Sequence, residues 1–248
     1  MGRSPVDIEV WSDLHCPWAL VAVHRLRAAR EELGLADLVI TARAWPLEWV
    51  NGRGTPRDIV TTETAVLANH EPTLFNRFDN DSWPSTFLPA FELVAAARRV
   101  GGDRMAEDVD YGLRLSFFRE SVDVSVEAGL VRALEVGDDT AAAPLPISEI
   151  LRVWRTEPVR ADVRADYEVS STLPIQGSPQ VFWPDGTTHH NPGMTDHEWV
   201  HGIPRIKDAD PRLVEELVRE KLGAGAQDGL TRVSGQLALE DLPGGGHR

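Results

Sequence analysis

The sequence predicts an α/β fold in which a large all-helical insertion interrupts a sheet. Three observations predict it. Residues near the N-terminus run strand, helix, strand; a long stretch from Asn51 to about Pro158 carries helical patterning; and strand signals return at Pro179-Gln180-Val181-Phe182-Trp183. A strand–helix–strand unit places its two strands in parallel. The expected layout is a discontinuous core of residues 6–50 and 157–222, a helical insertion over 51–156, and a flexible tail over 223–248.

Each element has a local reason. Ile8 and Val10 alternate with Glu9 and Trp11, the period of a short strand. Trp18, Val21, Ala22, Leu26, Ala29 and Leu33 recur at helical spacing from Pro17 onward, and Gly34 is placed to terminate that helix. Leu38 to Trp45 is a second strand, stopped by Pro46. Asn51-Gly52-Arg53-Gly54-Thr55-Pro56 reads as a loop. Within the insertion, Phe87 to Val100 is a helix ending at Gly101-Gly102, and Asp103 caps a segment reaching Phe118. Ser125 to Val136 follows with Gly137 as its stop, then a linker over Thr140 to Pro146, then a helix over Ser148 to Thr156 capped by Ser148. Asp185-Gly186 signals a hairpin turn. Asp210-Pro211 opens a last helix to Leu222, with Leu213, Leu217, Val218 and Leu222 as its buried stripe. Leu230 to Leu242 is the part of the tail able to dock.

The 248 residues carry 25 Lys+Arg against 39 Asp+Glu, a net charge of −14. That balance argues against nucleic acid and anionic membranes as partners. No apolar run is long enough for a membrane span. Met1-Gly2-Arg3-Ser4-Pro5 leads into the first strand without a signal-peptide core. The single cysteine excludes an internal disulfide. Together these point to the cytoplasm.

That cysteine, Cys16, stands immediately before Pro17, in the N-cap position of the first helix. Unpaired N–H groups and the helix dipole there favour a thiolate, the reactive form. A carboxylate at Asp13 works against the thiolate, and a protonated His15 would offset it. Cys16 therefore reads as a nucleophile, and a second stretch, Gly177-Ser178-Pro179, opens the returning strand.

Trp11-Ser12-Asp13, Cys16-Pro17-Trp18-Ala19 and the distant Gly177-Ser178-Pro179 together resemble the DsbA-like thioredoxin-fold family, in the branch of FrnE-type proteins and 2-hydroxychromene-2-carboxylate isomerase relatives. Leu88-Pro89-Ala90-Phe91-Glu92, Arg114-Leu115-Ser116-Phe117-Phe118, and Asp185-Gly186 followed by Asn191-Pro192-Gly193 extend the likeness over residues 6 to 222. The resemblance implies a thioredoxin fold interrupted by the helical insertion, with Pro179 in cis and facing Cys16. It also implies that the Ser178 backbone pairs with an incoming thiol compound or peptide, beside Gly177. His15, Pro17 and Trp18 would shape the face around the sulfur, with Trp18 either stacking on substrate or filling the core.

One departure matters. Members that run a dithiol cycle have a second cysteine where this chain has Ala19. What the resemblance then implies is a thiol oxidoreductase working through one cysteine, with no permanent cofactor. An external low-molecular-weight thiol, mycothiol or glutathione, resolves the adduct. The substrate would be a small-molecule or protein thiol or disulfide. The alternatives are a redox-inactive ligand-binding or regulatory protein, and a thiol-dependent isomerase or transferase. Apolar surface on the insertion suits a homodimer.

His189, His190, His197 and His201 form a rival cluster, with His197 and His201 at the i, i+4 spacing of ligands on one helix face. No acidic signature accompanies them, and no metal is expected. Asp196, His197 and Ser178 lack the Gly-x-Ser-x-Gly turn of a hydrolase.

Overall fold

The computed structural model describes residues 6–194 and 196–222. Strand β1 (Val6–Ser12), helix α1 (Pro17–Glu32) and strand β2 (Leu38–Ala44) form the expected unit, with β1 and β2 parallel. Helix α1 ends as its sequence requires. Gly34 takes φ 64, and the Leu35 N–H reaches the Arg30 carbonyl at 2.9 Å while the Gly34 N–H reaches Glu31 at 3.1 Å. Those are the two bonds of a Schellman cap.

Between the sheet's two halves lie α2 (Leu47–Val50), α3 (Arg57–Leu67), α4 (Leu88–Phe118), α5 (Glu127–Thr140), α6 (Ile147–Thr156) and α7 (Arg160–Ser170). The chain then returns through β3 (Gln180–Phe182) and β4 (Thr188–His190), which complete a sheet of order β2-β1-β3-β4. β3 runs antiparallel to β1, with Val10 opposite Val181 and Trp11 opposite Gln180. Ile8, Val10 and Trp11 are all buried, so both faces of β1 are covered. β5 (Asp196–Val200) and β6 (Ile203–Asp208) form a separate two-stranded hairpin. A last helix, α8, spans 213–222 and buries Val214, Leu217 and Val218.

Buried ion pairs join α1 to α4. Glu107 accepts from Arg27 at 2.6 Å and from Arg30 at 2.7 Å, and it also receives the Ile40 N–H of β2 at 3.3 Å. A buried carboxylate is tolerated only when its lone pairs are occupied in this way.

Several expectations change. The segment between α3 and α4 is not helical but an irregular strap of aromatic residues, tied down by bonds such as Asn76 N–H to the Phe118 carbonyl at 3.0 Å. Gly101 and Gly102 do break α4, Gly102 at φ 78. Gly137 is not a stop, because α5 continues to Thr140. Its role is close approach: a Cβ on the facing Gly112 would lie 2.6 Å from the Gly137 backbone and from the Ala133 carbonyl. Ser148 is not the cap of α6, since the helix begins at Ile147 after Pro146. Helix α7 had no sequence signal strong enough to name it. The helix at the C-terminal end starts at 213, after the Asp210 carboxylate accepts the Arg212 N–H at 2.9 Å. The proposed tail, including Leu230 to Leu242, lies outside the described residues. No helix among the described residues is long and apolar enough to cross a membrane.

Candidate active site around Cys16

The β1–β3 register brings the two singled-out stretches together. With Trp11 opposite Gln180, continuing each strand two residues sets Asp13 beside Ser178. The Asp13 N–H then donates to the Ser178 hydroxyl at 2.9 Å. The Ser178–Pro179 peptide is cis. The Cys16 thiol donates to the Ser178 carbonyl, with Sγ 3.2 Å from the oxygen. Cys16 is the N-cap of α1 and Pro17 opens the helix, as the sequence predicted.

Gly177 is required by its neighbour. A Cβ there would come within 2.7 Å of the His190 ring, which is held by Nδ1 at 3.0 Å from the Pro179 carbonyl. His190 therefore braces the loop through its Nδ1. His189 Nδ1 accepts the Trp183 indole N–H at 2.8 Å. His197 lies on a strand and His201 in the turn that follows, at φ 52, so the helix face assumed for them does not exist. Among the described residues no metal-binding group of three or more ligands is present.

The thiolate expectation is overturned. Cys16 is only 6% exposed, and burial pushes its thiol up to about 12, assisted by the nearby Glu63 and Asp13 carboxylates. The Ser178 bond and the Ala19 N–H work in the opposite direction and lose. Desolvating an anion outweighs a helix-end dipole where no cation is near. Glu63 had no sequence signal; it arrives from α3 and accepts the Trp18 indole N–H at 3.0 Å. Trp18 is buried, stacked on His197 with ring centroids 4.7 Å apart, which decides in favour of its core role. Ala19, fully buried, places a methyl where a dithiol site has sulfur.

The turn between β1 and α1 is held from beneath. Arg114 of α4, 1% exposed, donates to the Asp13 carbonyl at 2.9 Å and to the Ser12 hydroxyl at 2.8 Å, and is paired with Asp110 at 2.8 Å. The Asp13 carboxylate accepts the His15 and Leu47 N–H groups, each at 2.5 Å, fastening the turn to α2. Burial nevertheless raises Asp13 to about 6.

His15 does not face the sulfur as a cation. It stacks on Phe87 with centroids 4.2 Å apart, meets Phe117 edge-on at 5.2 Å and Trp83 at 5.5 Å, and its Nε2 has no partner. Burial in this cage lowers it to about 3, so it is neutral and cannot offset Asp13.

The two shifts oppose each other in stability. The unfolded chain binds a proton at His15 below about 6.5 that the folded one refuses down to about 3, so this group's contribution rises with pH across that window. The folded state keeps a proton on Asp13 between 3.8 and about 6 that the unfolded chain has released, so its contribution falls with rising pH. His15→Phe keeps the stacked ring and removes only the first effect. The stability of that variant relative to the parent is expected to increase by about 3 kcal/mol from pH 6.5 to pH 4. Urea unfolding at the two pH values measures it.

Comparison with solved structures settles the architecture. A Streptomyces coelicolor protein assigned as a DsbA oxidoreductase superposes with a TM-score of 0.57 at 17% identity, covering 88% of this chain and 90% of its own. A Nitrosomonas europaea protein assigned as a disulfide isomerase gives 0.55 at 14% identity, over 90% and 98%. The chain has a thioredoxin fold with a helical insertion. A 2-hydroxychromene-2-carboxylate isomerase shares this interrupted thioredoxin fold at a TM-score of 0.51 and 13% identity, over 94% and 99%. No family model and no curated protein sequence matches the chain. In the thioredoxin fold as built here, Cys16 follows the C-terminal end of β1 and Ser178 and Pro179 precede β3, so they meet at one end of the two central strands, with Gly177 next to them in the loop.

Proposed function

We propose that this chain is a cytoplasmic thiol–disulfide oxidoreductase of the DsbA-like kind that works through Cys16 alone, with mycothiol or glutathione as the second thiol. The observation that carries the reading is the apposition of Cys16 Sγ to the Ser178 carbonyl at 3.2 Å, beside cis-Pro179, at the start of α1. A sulfur held against the carbonyl that precedes a cis-proline is where a disulfide paired with that loop's backbone would lie in reach for exchange. Cys16 is the only cysteine, so the chain itself cannot resolve an adduct.

The cycle balances as two exchanges. Displacement of the Ser178 contact uncovers the thiol, which loses its proton to solvent. The Cys16 thiolate attacks one sulfur of a mixed disulfide between the substrate and a small thiol. A Cys16–small-thiol disulfide forms, and the substrate leaves as its thiolate. A second small-thiol anion attacks the adduct at the small-thiol sulfur, releasing the small thiol's own disulfide and restoring Cys16. The net reaction consumes one free small thiol per mixed disulfide and yields one substrate thiol and one disulfide of the small thiol, half of which came from the substrate. Stoichiometry tests it: without added thiol, each protein molecule should reduce one equivalent of a glutathionyl mixed disulfide and stop, and reduced glutathione should make the reaction catalytic. More than one equivalent without added thiol would contradict the one-cysteine cycle.

The burial and raised pKa of Cys16 favour a second reading. In it the thioredoxin fold binds a small molecule without redox turnover, or uses bound thiol for isomerisation or transfer. Under that reading no equivalent of mixed disulfide is reduced.

A further inference from the structure

Charge around Cys16 is out of balance. Glu63 reaches the site from α3, where its Oε1 accepts the Trp18 indole N–H at 3.0 Å. Trp18 lies two residues beyond Cys16 in the first turn of α1, and its ring is stacked on His197, so the indole that anchors the carboxylate has a set position. Glu63 is half-buried, and among the described residues it forms no ion pair and its Oε2 accepts no hydrogen bond. Glu71, just past the end of the same helix, is paired with Arg25 at 2.7 Å.

Neighbouring groups do not cancel this charge. The Asp13 carbonyl accepts the Cys16 N–H at 3.2 Å, and the carboxylate of that residue adds the same sign. Arg114 beneath the turn is spent on Asp110 at 2.8 Å. Arg57 lies over the Trp83 ring at 4.9 Å, in a cavity it shares with Asp13 and Glu48. His15 is neutral in its aromatic cage, and burial lowers His190 as well. The His197 ring has its Nδ1 3.3 Å from the Met194 carbonyl. Thiol–disulfide exchange spreads one negative charge over three sulfurs in line. Beside an unpaired, half-buried carboxylate that charge is disfavoured. An ammonium group near the sulfur of the incoming partner offsets both.

We infer that Glu63 sets the charge specificity of exchange at Cys16, favouring disulfides and thiols with an ammonium group near the sulfur over those with a carboxylate there. The inference rests on the oxidoreductase reading, since it needs Cys16 as the reacting sulfur. In the step itself the Cys16 thiolate attacks one sulfur of the disulfide. A bond from Sγ to that sulfur forms, the original S–S bond breaks, and the departing thiolate takes up the proton that Cys16 gave to solvent. Of the two small thiols proposed above, uncharged mycothiol suits this site better than anionic glutathione.

Rates of Cys16 adduct formation on the full chain test this, with cystamine, bis(2-hydroxyethyl) disulfide and dithiodiglycolate as cationic, neutral and anionic probes. Each rate is divided by that of the same disulfide with 2-mercaptoethanol, and salt at about 0.5 M screens the chain's overall negative charge. In the parent, cystamine is expected to exceed dithiodiglycolate by roughly tenfold. Glu63→Gln can still accept the Trp18 indole N–H through its amide oxygen, and should reduce that ratio to about threefold or less. All three rates are expected to rise in this variant, because Cys16 ionises more easily, so the ratio carries the test. Glu149→Gln, the same change of charge on exposed α6, should keep the parent's ratio. Equal normalised rates in the parent, or an undiminished ratio in the Glu63 variant, would overturn the inference and leave the oxidoreductase reading standing. No adduct with even the neutral probe would overturn both.

Discussion

Replacing Cys16 with serine is expected to reduce the mixed-disulfide turnover supported by glutathione or mycothiol on the order of 100-fold or more, to the uncatalysed background. The change is nearly isosteric. A serine hydroxyl can donate to the Ser178 carbonyl as the thiol does now, so the cis-proline loop keeps its contact and the fold keeps its stability. What disappears is the only atom in the chain able to form a sulfur–sulfur bond in exchange. Unfolding midpoints of variant and parent should therefore agree while rates diverge. Steady-state turnover and urea unfolding, measured on the same preparations, check both halves. Retained turnover would move the chemistry away from Cys16 altogether.

The largest effect on stability is expected at Arg114. Its guanidinium lies beneath the active-site turn, 1% exposed, with Asp110, Ser12 and the Asp13 carbonyl taking its protons. Arg114→Met matches the side chain in length but leaves Asp110, itself 4% exposed, as a buried anion without a partner. Breaking one side of such a pair costs about 3–5 kcal/mol, whereas replacing both sides with apolar groups can be nearly neutral. The double variant Arg114→Met, Asp110→Leu should therefore recover much of the loss, and the two midpoints in urea provide the measurement. The Asp13 carbonyl and the Ser12 hydroxyl still lose their donor in the double variant. Its Cys16 turn should accordingly remain looser than the parent's, seen as faster alkylation of the thiol at fixed pH.

Much of the fold could be read from the residues because local and tertiary preferences agree there. Ile8 and Val10 alternate in a strand that is in fact buried, Pro17 opens a helix that does begin there, and Gly34 takes the left-handed conformation of its cap. The Gly177-Ser178-Pro179 stretch could be placed opposite Cys16 only through a family likeness, since nothing local measures a separation of 162 residues. Reading failed where tertiary contact reassigns a residue's purpose. Gly137 looks like a terminator by composition and is a contact surface for Gly112. His197 and His201 have helical spacing, but Gly202 at φ 78 makes their segment a hairpin turn.

The protonation of Cys16 was out of reach for a different reason. It is a sum over groups from four places in the chain: Asp13, Ala19, Glu63 and Ser178, on top of desolvation. Local sequence reports the helix end and the adjacent aspartate. It does not report that α3 brings the Glu63 carboxylate near the sulfur, nor that aromatic residues from the strap and α4 remove the one histidine able to balance the charge.

The central claim is that Cys16 carries one small thiol at a time and surrenders it to another. Intact-mass analysis of the protein after incubation with glutathione disulfide at pH 8 tests it most directly. One glutathionyl adduct is expected, formed slowly because the thiol is buried and protonated at rest. Peptide mapping should place it on Cys16, and reduced glutathione should remove it with recovery of the starting mass. An unmodified mass after prolonged incubation, or an adduct that a second thiol cannot release, would contradict the account.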